Sequence, residues 1–281
     1  MTQFKHIDFS CRHRLLVGMA CALLLMGSHA YADDTPLTFG ILPYKGPQQM
    51  TSIFTPLRDY LQQASARKLT LVTAPNYPDF RTRTKAGEYD IILTAPHFAR
   101  VAELESGFKR IAVTRYRVHG AIFVAKDSPA RQLSDLTGKS LAIPPQAAIV
   151  HMLVMELARN KGLDMGRDFN LHIHESMQNA LSATVRGDSD ASAVDFSSWD
   201  AYEQKNSLRE IAKTVEVPGM IIMAHPRVPK AVIESMRKAL LVYADTAEGK
   251  AYFAITKHGA WLPIDDATMR SLDPYVRLKK D

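Results

Sequence analysis

From residue 37 onward the sequence alternates short apolar runs with helical patterns, and that alternation restricts the folds open to it. Residues 37–42 (LTFGIL), 69–72, 90–93 (DIIL), 140–143, 170–174, 191–194 and 208–213 read as strands. Between them lie helical stretches. Met50, Ile53, Phe54, Leu57 and Leu61 fall at helical spacing, and residues 147–161 place Val150, Leu153, Val154 and Leu157 on one face. Residues 81–87 and 180–186 read as helix ends stopped by Gly87 and Gly187, and 199–204 as a further helix. Residues 113–125 form one long extended stretch broken near Gly120; a last extended run, 219–224, precedes helical segments near 228–244, 249–258 and 266–272.

Strand–helix alternation predicts an α/β fold with mostly parallel sheets flanked by helices. The strands are too many for one comfortable sheet. Two lobes are expected, one from residues 33–117 with 220–281, the other from 118–219. They would be joined near 116–125 and 215–224. Ligands of open α/β sheets sit beyond the carboxyl ends of strands, so the site is expected in the cleft between lobes.

The first 32 residues read as an address rather than as fold. Lys5, Arg12 and Arg14 precede the apolar run LLVGMACALLLM at 15–26, which falls short of the about 20 residues a spanning helix needs. An A-x-A pattern at Ala30-Tyr31-Ala32 predicts cleavage after Ala32 and export to the periplasm. Both cysteines of the chain, Cys11 and Cys21, fall inside this leader. The mature chain therefore has no disulfide and no thiol nucleophile, and its stability rests on packed cores.

Composition narrows the function further. The 281 residues carry a formal charge of +6, from 35 Lys and Arg against 29 Asp and Glu; 46% are hydrophobic and 23% charged. These are globular values, which exclude wholesale disorder. No window is basic and aromatic enough for a nucleic-acid groove. The sequence contains no G-x-S-x-G elbow, no H-E-x-x-H and no P-loop, so no enzyme is expected. His172 and His174 share a strand face, but no third ligand adjoins them, and neither metal nor cofactor is expected.

A series of short motifs then points one way. Gly40-Ile41-Leu42-Pro43-Tyr44 is followed by Pro56-Leu57-Arg58-Asp59-Tyr60-Leu61, then Tyr77-Pro78-Asp79-Phe80 and Thr94-Ala95-Pro96-His97-Phe98. Asp127-Ser128-Pro129 leads into Leu133-Ser134-Asp135-Leu136-Thr137-Gly138-Lys139, and Gly259-Ala260-Trp261-Leu262-Pro263 closes the series. In order and spacing these segments resemble the periplasmic substrate-binding proteins of phosphate/phosphite/phosphonate ABC transporters, over nearly the whole mature chain. The resemblance implies a two-lobed type II periplasmic binding protein, a Venus flytrap that holds a small polar or anionic molecule. It also implies delivery to a membrane ABC permease; the alternative is a sensory receptor of the same fold that signals to a membrane histidine kinase. Relatives carry Ser or Thr hydroxyls after the strand that follows Gly138-Lys139, where a helix N-terminus grips oxyanion oxygens. Here that loop reads Pro144-Pro145-Gln146-Ala147-Ala148-Ile149, with no hydroxyl.

Candidate ligand contacts follow from strand polarity and from this resemblance. Tyr44, Tyr77 and His97 come just after three different strands, and Asp195 follows a fourth. His97 is expected to donate to an anionic ligand. Arg115 and Arg117 flank Tyr116 and share one face by alternation, so Arg115 is expected to clamp an oxyanion. Ala147 and Ala148 are expected to offer backbone N–H groups, and Gln178, beside Asn179, an uncharged polar contact.

Overall fold

The structure is a computed structural model and describes Met1 and residues 35–276. The leader's apolar run, its A-x-A site, Cys11 and Cys21 lie outside the described residues.

Eleven strands, numbered in chain order, form two sheets among the described residues. The first contains β1 (Leu37–Ile41), β2 (Leu69–Val72), β3 (Ile91–Thr94), β4 (Lys109–Thr114), β10 (Ile221–Ala224) and β11 (Trp261–Leu262), in the order β11-β4-β10-β3-β1-β2. The second contains β5 (Gly120–Ala125), β6 (Ser140–Ile143), β7 (Asn170–Ile173), β8 (Ala191–Asp195) and β9 (Leu208–Lys213), in the order β7-β6-β8-β5-β9. The extended stretch expected at 113–125 is thus two strands, β4 and β5, in different sheets.

Neither sheet is mostly parallel; both are mixed. β1 pairs in parallel with β2 and β3, and β6 with β7 and β8. β10 runs antiparallel to both β3 and β4, and β5 antiparallel to both β8 and β9. The reason is the path of the chain. β5 and β10 are the strands that enter a sheet directly from the other one, without a crossover helix. A chain leaving one sheet at the carboxyl ends of its strands enters the next from that same edge, and so runs against its neighbours. Val118 and Val217 pair across the two connections and tie them side by side.

Helices cover the sheets. α1 (Pro47–Ser65) starts with Pro47 in its first turn, where a missing N–H costs nothing, and buries Met50, Ile53, Phe54, Leu57 and Leu61. Each such side chain contributes about 1.5–3 kcal/mol on burial. α2 (Tyr77–Lys85) is capped by Asn76, whose Oδ1 accepts from Asp79 N at 2.8 Å. α3 (Pro96–Ser106) and α4 (Ile149–Asn160) begin without side-chain caps, at Ala95 and Ala148. The chain continues through the one-turn α5 (Met165–Asp168), then α6 (Met177–Arg186) and α7 (Phe196–Asp200) on the second sheet, with α7 several residues earlier than the pattern at 199–204 suggests. α8 (Lys230–Val242), α9 (Ala247–Thr256) and α10 (Asp266–Arg270) follow β10. The core of the first sheet centres on Phe39, Ile91, Ile92, Ile221 and Ile222, all fully buried. In the second, Phe123 stacks on Trp199 with centroids 4.9 Å apart.

Candidate functional site

A cavity of about 70 Å³ lies between the two sheets. Loops from the carboxyl ends of the strands build it. Tyr44 comes from the loop after β1, Tyr77 from the start of α2 after β2, His97 from the first turn of α3 after β3, and Tyr116 from beyond β4. Ala148 comes from the loop after β6, and Asp195 from the end of β8. Five sequence candidates, Tyr44, Tyr77, His97, Ala148 and Asp195, therefore share one cavity wall.

Asp195 is the charged centre of the site. Tyr116 Oη donates to Asp195 Oδ1 at 2.9 Å and accepts from the backbone N of Ser197 at 3.0 Å. The Ser197 hydroxyl donates to Asp195 Oδ2. Burial pushes the Asp195 carboxyl above the usual carboxylate range, against the pull of these hydrogen bonds and of His119. Asp195 forms no ion pair among the described residues; His119 lies instead against Glu216, with Nδ1 4.0 Å from Oε1. Lys45 also lines the cavity, with Nζ 5.5 Å from the Tyr44 ring centroid, and burial lowers its pKa against the pull of the Asp195 carboxyl.

The other walls are aromatic and neutral. His97 is 2% exposed, and burial drives its pKa down to about 4. Its Nε2 lies 3.0 Å from the Ala147 carbonyl, which only accepts, so Nε2 carries the hydrogen. The donor expected to meet an anionic ligand is thus spent on the backbone of the second sheet's loop. His258, 6% exposed, is pushed down to about 3 by burial and by Lys45. Burial raises the hydroxyls of Tyr44 and Tyr77, and the Tyr44 hydroxyl has no hydrogen-bond partner among the described residues. Edge-to-face contacts hold the rings, Tyr44 against Phe54 at 6.3 Å and Tyr77 against Phe98 at 6.2 Å.

Three candidates sit elsewhere. Arg115 does not line the cavity: its backbone N donates to Ala260 O at 2.7 Å, and its side chain runs beside Gly259. Arg117 turns to Glu216, with Nε 3.6 Å from Oε2. Alternation does put both arginines on one side; the cavity is on the other, where Tyr116 points. Gln178 lies outside the cavity, in a groove of about 740 Å³ that adjoins it through Lys45 and Tyr77 and also holds Pro145, Glu175 and Asn179. Ala147 contributes its carbonyl to His97, and the Ala148 N–H, expected to face a ligand, donates to Pro145 O at 2.8 Å. His172 bonds through Nδ1 to the Ser189 hydroxyl at 2.9 Å.

Sequence reasoning missed Tyr116, Lys45, Ser197 and His258. Tyr116 was open to detection, as the residue between two arginines on an alternating strand. Ser197 lies two residues past Asp195 at a helix start. His258 follows α9, far along the chain, and carries no local signal.

Two mixed α/β sheets that present their strand ends to a common cavity define the class: a two-lobed, type II periplasmic binding protein. Within that class, residues 39–269 match the sequence model of the periplasmic substrate-binding proteins of phosphonate ABC transporters, and the chain belongs to that family. Solved structures agree on the fold. PhnD1 from Prochlorococcus marinus, in complex with methylphosphonate, is 12% identical; the alignment covers 87% of this chain and 98% of that one, with a TM-score of 0.78. A binding protein component of an ABC phosphonate transporter from Pseudomonas aeruginosa is 18% identical, covering 87% of each chain, with a TM-score of 0.75. XAC2383 from Xanthomonas citri, bound to chloride, is 21% identical over 85% of this chain and 95% of that one, with a TM-score of 0.70. The family is one of substrate-binding proteins rather than enzymes.

Proposed function

We propose that this chain is exported, is cleaved after Ala32, and captures one small polar molecule in the cavity for delivery to a membrane ABC permease. Residues 33–117 with 220–281 act as one lobe and 118–219 as the other, closing around the ligand by hinge motion. The observation that carries the reading is Asp195, a carboxyl that forms no ion pair among the described residues and feels Lys45 and His119 only at longer range, set among aromatic walls in a cavity between the sheets. A carboxyl held in such a wall without a direct ion pair is costly, and Lys45, whose own charge burial disfavours, offsets it only in part, so the site favours a partner that supplies positive charge. Tyr44, Tyr77 and Tyr116 add ring faces that suit a cation. The favoured ligand therefore carries an ammonium or other cationic end.

The same geometry argues against a bare phosphonate. A dianion in a dry cavity needs several aimed donors, each charge-assisted bond contributing roughly 1.5–3 kcal/mol. The loop after β6 has no hydroxyl, the Ala148 N–H is occupied, and His97 has spent its donor. Asp195 would also repel the dianion, and among the lining residues Lys45, its charge disfavoured by burial, is the one Lys or Arg that opposes this.

A thermal-shift screen over phosphate, phosphite, methylphosphonate, 2-aminoethylphosphonate, carboxylates and small amines tests this. A ligand at 100 times its Kd adds about 2.7 kcal/mol, a shift of a few degrees for a chain of this size. Amines are expected to give the shift and bare oxyanions none. Sub-micromolar calorimetric binding of methylphosphonate or 2-aminoethylphosphonate would show the missing hydroxyls to be dispensable. Stimulation of a permease-coupled ATPase by the loaded protein supports delivery, whereas a changed histidine-kinase autophosphorylation rate supports the sensory alternative. N-terminal sequencing of exported protein that returns Met1 excludes cleavage.

A further inference from the structure

A second contact between the two halves lies well away from the cavity in sequence and uses none of its residues. The last described turn, Asp273–Tyr275, belongs with the first sheet: Asp273 Oδ1 accepts from Arg100 Nε on α3 at 2.7 Å. From that anchor Tyr275 reaches across to α4 of the second sheet, where its hydroxyl donates to Glu156 Oε2 at 2.9 Å. Both side chains are half-buried. The contact borders a surface hollow of about 560 Å³, whose walls include Met152, Met155 and Arg159 from α4 and Pro274 from the turn. Nothing in the covalent path requires this bond, because among the described residues the chain crosses between the sheets only near Val118 and Val217.

We infer that Tyr275 and Glu156 form a latch that holds the two lobes closed from outside the ligand cavity. The hydroxyl–carboxylate bond exists only while α4 lies beside the C-terminal turn. It therefore adds its free energy to the closed arrangement alone and shifts the balance between closed and open forms. A ligand that needs the closed form binds with an apparent affinity set partly by this balance, so the latch tunes affinity without touching ligand. The Arg100–Asp273 pair is the positioning element, since it fixes the turn that carries Tyr275.

The test uses ligand-free protein, so its outcome does not depend on what the cavity binds. Spin labels go on exposed positions 161 and 238, through Lys161→Cys and Lys238→Cys, in the full chain with Cys11 and Cys21 replaced by serine. Double electron–electron resonance then reads the short (closed) and long (open) distance populations. Tyr275→Phe keeps the ring and removes the hydroxyl; Glu156→Ala removes the acceptor from the other lobe. Each is expected to lower the closed-to-open ratio roughly fivefold to tenfold, with the double variant no lower than either single one. Circular dichroism confirms folding, and Glu156→Ala, on a half-exposed helix position, keeps the test available if Tyr275→Phe does not fold. Unchanged distance populations in a folded variant, or fully additive losses in the double variant, overturn the latch.

Discussion

Tyr116 and Asp195 show how one residue serves stability and binding with opposite signs. The Tyr116 hydroxyl both donates to Asp195 and accepts from Ser197 N. Tyr116→Phe leaves a buried acceptor and a buried N–H unmatched, each costing about 1–3 kcal/mol, so a fall of several degrees in melting temperature is expected from calorimetry. Asp195→Asn does the reverse. It removes an unpaired charge that burial already disfavours, and an amide still meets Tyr116 and Ser197. The ligand-free protein is expected to melt at the same temperature or a few degrees higher, while the shift given by small amines disappears. Asn that keeps the amine shift would place recognition elsewhere in the cavity. The residues legible beforehand, Tyr44, Tyr77, His97 and Asp195, were those that strand polarity alone delivers to one edge. Arg115 misled because alternation fixes which residues share a side but not which side meets the cavity.

At the scale of elements, the alternation of buried strands and amphipathic helices was readable because each pattern is local. The mixed sheets were not, since the reversal of β5 and β10 comes from where the chain crosses between sheets, and no short window encodes that. One residue at a crossing does carry a sharp constraint. A Cβ on Gly219 would stand 2.0 Å from Thr114 Oγ1 and 2.2 Å from Tyr116 O, closer than atoms can sit. The backbone on both sides belongs to the path that joins the lobes and holds Tyr116 toward the cavity. Gly219→Ala is expected to cost about 3 kcal/mol or more, because relief requires moving main chain rather than a flexible side-chain tip. Urea denaturation measures the loss, and a cost under about 1 kcal/mol would mean that the crossing yields more easily than its contacts imply.

For the whole molecule, His97 and His258, two of the buried histidines, make stability depend on pH in a definite window. His97 joins the halves through Ala147 O, and His258 follows α9 and lines the same cavity. Burial depresses both, to about 4 and about 3, whereas an unfolded histidine titrates near 6.5. Between these values the unfolded chain binds protons that the folded chain refuses, so stability rises with pH and is lost as pH falls below about 6.5. At pH 5 each histidine forfeits about 2 kcal/mol relative to pH 7.5. Asp195 works the other way: its raised pKa means the folded state takes up a proton more readily there, offsetting part of the loss. Carboxylates held low by partners, such as Asp90 beside Thr38 and Arg227, lose their contribution only at still lower pH, below the usual carboxylate value of about 4. The slope between pH 6.5 and 5 therefore belongs chiefly to the histidines. Urea melts at pH 7.5 and 5.0 are expected to differ by a few kcal/mol, with His97→Asn and His258→Gln each removing about 2 kcal/mol and the half-exposed His174 and His225, also lowered by burial, contributing the smaller remainder. A stability that stays flat over that interval, or a slope that survives both substitutions, would assign the pH response to groups outside the cavity.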